Sequence, residues 1–247
     1  IHTKLQEKYL IYTYKKINEK FNGYKVAVYS KYAKNLLSNS NIVIKDKVEV
    51  IGCSRLSLSY RFKKIIPKEQ IIYYAIQRNR GLPNPLIKLY GKSFFNDLNF
   101  HKKYDTSFDW GKTHIKTLKI LKIFAHKNPK VSIIIKTKIG EKINNNEYKN
   151  LPKNMKILSK GTGHEYLKDS KVVIAWNTTS VLEGIAANRF ILMPYFVAKN
   201  KFSKMVALQL NLKKQNYGKN ENDFYKKLDL LMKKKYNNNK IYNNLSS

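Results

Sequence analysis

Apolar residues in this chain come in short runs, and the runs alternate with stretches of helical period. Residues 71–76 and 131–135 are apolar at nearly every position, as a strand buried on both faces requires. Residues 24–29, 48–51, 155–158, 171–176 and 190–193 read as further strands. Helices are expected at about 4–21, 30–37, 109–126, 163–168, 180–187 and 221–235, with Ser30 and Asp109 as N-caps. A charged stretch at 60–70 containing Pro67 reads as a linker, and 236–247 as a frayed polar tail. Alternating strands and helices predict an α/β fold whose parallel sheet is covered on both faces. Ligands of such sheets bind beyond the carboxyl ends of the strands. The residues just after each strand are therefore the functional candidates.

The segment 171–196 carries the strongest of these. A strand leads into Asn177, Thr178, Thr179 and Ser180, and then into a helix bearing Glu183. Hydroxyls and unpaired N–H groups at a helix start suit an anion such as a phosphate. The competing reading is purely structural: Ser180 and Glu183 have the spacing of a capping box. Gly161, Thr162, Gly163 and His164 form a second strand–helix turn, where Thr162 and Glu165 also have capping-box spacing. Its glycines would let a ligand approach the backbone. Lys136 ends the strand at 131–136, and Arg78 and Arg80 follow the strand at 71–76, all placed to meet an anion.

Several motifs fail. Gly111-Lys-Thr113 would need a glycine at position 106, which is Thr106, so it is not a P-loop. Tyr166 stands where the dinucleotide fingerprint needs its last glycine. There is no H-E-x-x-H zinc motif and no G-x-S-x-G elbow, and five scattered histidines do not make a metal site. The single cysteine, Cys53, excludes an internal disulfide and is expected to be a buried structural thiol.

Charge changes the picture less than its size suggests. The 49 basic residues against 16 acidic ones give +33, a balance that would suit nucleic acid or an anionic membrane. Only five of the 49 are arginines, the residue best suited to bidentate phosphate and base recognition. The lysines are spread over the whole length among abundant Asn, Ile and Tyr, as an AT-rich coding sequence would yield. Nucleic-acid binding is therefore disfavoured, while peripheral contact with an anionic membrane stays open. No apolar run reaches the ~18 residues of a membrane span.

Residues 26–30, 48–52, the strand end at Lys136 and, above all, 167–196 resemble the GT-B-type glycosyltransferases of capsule and lipopolysaccharide biosynthesis. They also resemble the related glycerophosphotransferases of teichoic-acid synthesis. The resemblance implies a GT-B-like protein with a Rossmann-type, nucleotide-donor-binding domain at 66–235. Residues 1–65 would be the C-terminal part of an acceptor-side domain whose earlier strands are missing. It implies a nucleotide-activated sugar as donor substrate, no further cofactor and no essential metal. The acceptor would be a polysaccharide or lipid-linked glycan, and the setting cytoplasmic, with peripheral contact at the inner membrane face.

The same resemblance assigns roles. The turn at 177–180 and its helix would hold the donor diphosphate, and Glu183 would bond ribose or sugar hydroxyls. Lys136 or Arg78 would neutralise phosphate, and Gly161–His164 would approach the nucleoside. The catalytic base would come from the missing part. Two departures leave the donor open: a single helix acid, and Lys136-Thr-Lys-Ile where the family has Lys-Pro-His. A glycerophosphotransferase, a basic nucleic-acid module, an epimerase on the same architecture and an inactive homologue remain the alternatives.

Overall fold

The computed structural model describes residues 11–12, 14–15, 18–75, 110–137, 146–176, 178–196 and 216–236. Asn177, Arg78, Arg80 and the expected cap Asp109 lie outside the described residues. The chain forms two compact units: Ile1–Arg55 with Leu82–Tyr104 and Lys199–Gln209, and Leu56–Gly81 with Asp105–Ala198 and Leu210–Ser247.

In the first unit, strands β1 (Val26–Val28) and β2 (Val48–Val50) pair in parallel, joined through helix α1 (Lys31–Asn39). Ser30 caps α1, its hydroxyl accepting from the Ala33 N–H at 3.2 Å, as expected. Val28, Val43 and Val48 form a small core, with Phe21, Val26, Ala33, Leu37 and Ile42 packed around it. Cys53 is half-buried rather than a core thiol, because it follows the glycine turn at the end of β2 instead of lying within the strand.

Helix α2 (Ser54–Tyr60) follows. It occupies residues that hydropathy alone gave no reason to make helical. The second unit then builds its sheet from β3 (Lys68–Tyr74), β4 (Ser132–Lys136), β5 (Met155–Leu158), β6 (Ser170–Ile174), β7 (Phe190–Pro194) and β8 (Tyr217–Gly218). The strands lie in the order β5-β4-β3-β6-β7-β8, every pair parallel. From β3 the chain steps outward through β4 to β5, then returns to the other side of β3 for β6, β7 and β8. That is the Rossmann order, and its switch point lies between β3 and β6. The presumed linker at 60–70 thus yields its last three residues to β3. The strand expected at 171–176 ends at Ile174, leaving Trp176 beyond the sheet.

The strand cores are continuously apolar because helices cover them. Ile71, Ile72, Tyr73, Ile133, Ile135, Val172, Val173, Ile174, Ile191 and Leu192 are all fully buried. Helix α3 (Trp110–Lys127) contributes Leu118, Leu121, Phe124 and Ala125 to this core. A helix at residues 221–233 contributes Phe224, Leu228 and Met232, spaced four apart on one face. Each such apolar side chain contributes about 1.5–3 kcal/mol through burial. Asn154 closes the turn before β5, its amide donating to the carbonyls of Ala125, Asn128 and Val131 at 2.8–3.1 Å.

Candidate active site at the strand switch point

Four strands deliver polar side chains to the carboxyl edge of the sheet around the switch point. Tyr74 ends β3 and Lys136 ends β4. The two are register partners, so their side chains leave the sheet on the same face. Lys136 is buried, and its ammonium donates to the Thr137 carbonyl. Burial pulls its pKa below the ordinary lysine range, because a charged ammonium is costly away from water. An anion arriving beside it would offset that cost.

Past β5 the chain turns through Gly161 and Thr162, both exposed, and enters helix α4 (His164–Leu167). Gly161 has φ +69, a backbone conformation that side chains other than glycine resist. Gly163 serves a different end. A Cβ on it would fall 2.3 Å from the Tyr74 hydroxyl, so a larger residue here would have to displace the Tyr74 ring from its place against this loop. Gly163 is the N-cap of α4 and has no side chain to cap with, so the Thr162–Glu165 capping box does not form.

Past β6 come Trp176, Thr178, Thr179 and helix α5 (Ser180–Ala186). The Ser180–Glu183 capping box does not form either. Ser180 is already inside the helix, and the cap residue, Thr179, makes no side-chain cap bond. Instead the first turn is tight: Val181 N–H donates to Thr178 O and Leu182 N–H to Thr179 O. The Thr178 hydroxyl lies 3.4 Å from both the Ser180 hydroxyl and the Ser180 N–H. Thr179 is exposed, while Ser180 is buried. Glu183, released from capping, is 1% exposed.

Two of the sequence-derived candidates come directly together. His164 Nε2 faces Glu183 Oε2 at 3.9 Å, with side-chain exposures of 16% and 1%. Two residues that the sequence reading passed over belong to the same place. Tyr74 is one, and the rule that function follows strand ends could have found it. Ser59 is the other, its hydroxyl 3.3 Å from His164 Nδ1 across 105 residues of sequence, and no local signal marks it. Among the described residues, no three His, Cys, Asp or Glu side chains converge as a metal-ligand set, and no helix is long and apolar enough to cross a membrane.

Fold and site together define a Rossmann-type α/β protein with polar side chains gathered at its strand switch point. No family model and no curated protein matches the chain. Among solved structures it is similar to the crystal structure of TarM, with 19% identity and a TM-score of 0.38 over 92% of this chain. The chain spans 39% of that structure's length. A superposition this loose carries no functional argument, and the Rossmann-type assignment rests on the strand order itself.

Proposed function

We propose that the protein is a GT-B-type glycosyltransferase. It would move a glycosyl group from a nucleotide-activated sugar to a surface-polysaccharide or lipid-linked acceptor. The observation that carries this reading is the meeting of a buried carboxylate, Glu183, with His164 at the strand switch point. The sequence resemblance at residues 167–196 supports it. In the proposed reaction the bond from the anomeric carbon to the donor phosphate oxygen breaks. An acceptor oxygen forms the new bond, its proton passes to a base, and the nucleotide diphosphate leaves. The base would come from an acceptor-side domain.

The residues divide the work as follows. The turn of Asn177, Thr178, Thr179 and Ser180 meets the diphosphate with hydroxyls and N–H groups. Lys136, with Arg78, supplies the cation that stabilises charge developing on the leaving group. Gly161 to His164 form the wall against the nucleoside, and Glu183 takes hydroxyls of the donor. Charge stabilisation by these groups needs no bound metal.

A thermal-shift panel of UDP-, CDP-, GDP- and CMP-linked sugars on the full chain tests the proposal. At 100 times its Kd, a donor should add about 2.7 kcal/mol of stability, a shift of several degrees. Glu183→Ala and Thr179→Ala should each shrink that shift. If no donor stabilises the protein, the transferase reading fails. If both variants keep the full shift, the site is elsewhere.

A further inference from the structure

In the first unit, the stretch before β1, the end of α1 and the turn before β2 enclose a cavity of about 480 Å³. That is the size of a small-molecule site, typically ~300–1,000 Å³. Its walls are bonded to one another. The Phe21 N–H donates to the Ile42 carbonyl at 2.8 Å, the Asn41 N–H to the Ser38 carbonyl at 3.1 Å, and the Lys47 ammonium to the Gly23 carbonyl at 3.1 Å. The cavity lies at the amino ends of β1 and β2, whereas ligands of α/β sheets ordinarily meet the carboxyl ends. It shares no residue with the site at the strand switch point.

The lining has two chemistries. Phe21, Ile42 and Val43 form its apolar part, where they join the small core of the unit, and Ile44 beside them is 69% exposed. Lys20, Lys45 and Lys47 bring three ammonium groups, and among the described residues no carboxylate lines the cavity. Lys20 and Lys45 make no hydrogen bond or ion pair through their side chains, and neither do the carboxamides of Asn22 and Asn41. Like charges gathered in this way repel one another, and an anion among them relieves that repulsion. The end of α1, whose carbonyls would oppose an anion, is already bonded. The Ser40 N–H reaches the Leu36 and Leu37 carbonyls, and the Asn41 N–H that of Ser38.

We propose that this cavity binds a phosphate ester with an apolar body: the ammonium groups and carboxamides take the phosphate, and Phe21, Ile42 and Ile44 take the body. Lysine meets phosphate as a point charge, and three of them beside two carboxamides suit a dianion with several acceptor oxygens better than a carboxylate. The apolar wall gives the body a burial that inorganic phosphate lacks. The site is independent of the transferase reading, because it uses none of the residues assigned to the donor.

The test titrates the full chain with naphthyl phosphate in about 150 mM salt, where diffuse attraction to a polycation is screened. Amide NMR signals of residues 20–23 and 38–47 should shift and saturate. Lys20→Gln combined with Lys45→Gln should weaken binding about tenfold. Both side chains are exposed, so circular dichroism should show the fold kept. Lys153→Gln with Lys156→Gln, exposed in the second unit, removes the same charge and should leave the affinity within about twofold. Inorganic phosphate and naphthol should each bind about tenfold more weakly than the ester. Displacement of bound naphthyl phosphate by phosphatidic-acid vesicles supports the site with a lipid as the source of the ester, and retention supports it with a soluble one. Absence of a saturable shift at those residues overturns the proposal. So does equal weakening in the two double variants, or inorganic phosphate binding as tightly as the ester.

Discussion

Arg189 shows how one side chain can hold several segments. It is the largest fully buried side chain among the described residues, and its guanidinium makes five hydrogen bonds. They go to the carbonyls of Phe62, Ile65, Leu167 and Lys168 and to the Tyr236 hydroxyl, at 2.8–3.1 Å. Burial pulls its pKa down, with Tyr236 and Asp169 opposing, yet guanidinium remains charged at any ordinary pH. Every donor is used, so the buried charge is tolerated. Lysine cannot reproduce that planar fork. Arg189→Lys should therefore lower stability by about 3 kcal/mol or more in urea denaturation, because several buried carbonyls lose their donor. In the sequence Arg189 is one of five arginines with nothing to distinguish it. Glu183 was legible as a candidate at the same scale, because it stands one turn into the helix that follows a strand.

At the scale of elements, capping spacing proved an ambiguous sign. The expected boxes at 162/165 and 180/183 do not form, whereas helix α6 (Glu221–Lys233) is capped by the Asn220 side chain. Its Asn220 side chain accepts from the Asp223 N–H at 2.8 Å, and Asp223 accepts from the Lys219 N–H at 2.9 Å. Burial resists ionisation of Asp223. The Lys219 N–H and the Lys227 ammonium outweigh it and hold the carboxyl below its usual range. A depressed carboxyl contributes stability above its unfolded pKa and loses it as pH falls through the folded one. Melting temperature should thus fall more steeply below about pH 4 in the native chain than in Asp223→Asn. Asn220→Ala should cost about 1 kcal/mol at neutral pH. At the far end of α6, the Lys171 ammonium joins the Met232 carbonyl to Glu69, tying the helix to β6 and β3.

For the whole molecule, +33 sets behaviour toward any polyanion. The charge is almost all lysine, which acts as a point charge and reads no base edges. Binding to duplex DNA should therefore be independent of sequence, and should weaken by orders of magnitude between 50 and 200 mM salt. Competition titrations with unrelated duplexes would check this. A duplex preferred by a hundredfold at 200 mM salt would instead favour the nucleic-acid reading over the transferase.

The sequence by itself determined the class of the fold and offered its strand-end residues as candidates. Short apolar runs at 71–76, 131–135 and 171–176, alternating with helical stretches, read as strands buried on both faces; a hydroxyl-rich turn follows the last of them and a glycine turn follows the strand at 155–158. Strand order is a different kind of information. Nothing local to β6 says that it lies beside β3 rather than beside β5, because pairing depends on how helices cover the two faces. That placement brought strand-end residues from separate segments to one edge of the sheet. It set His164 opposite Glu183 and brought Ser59 to a ring 105 residues away, a contact that only the folded chain creates.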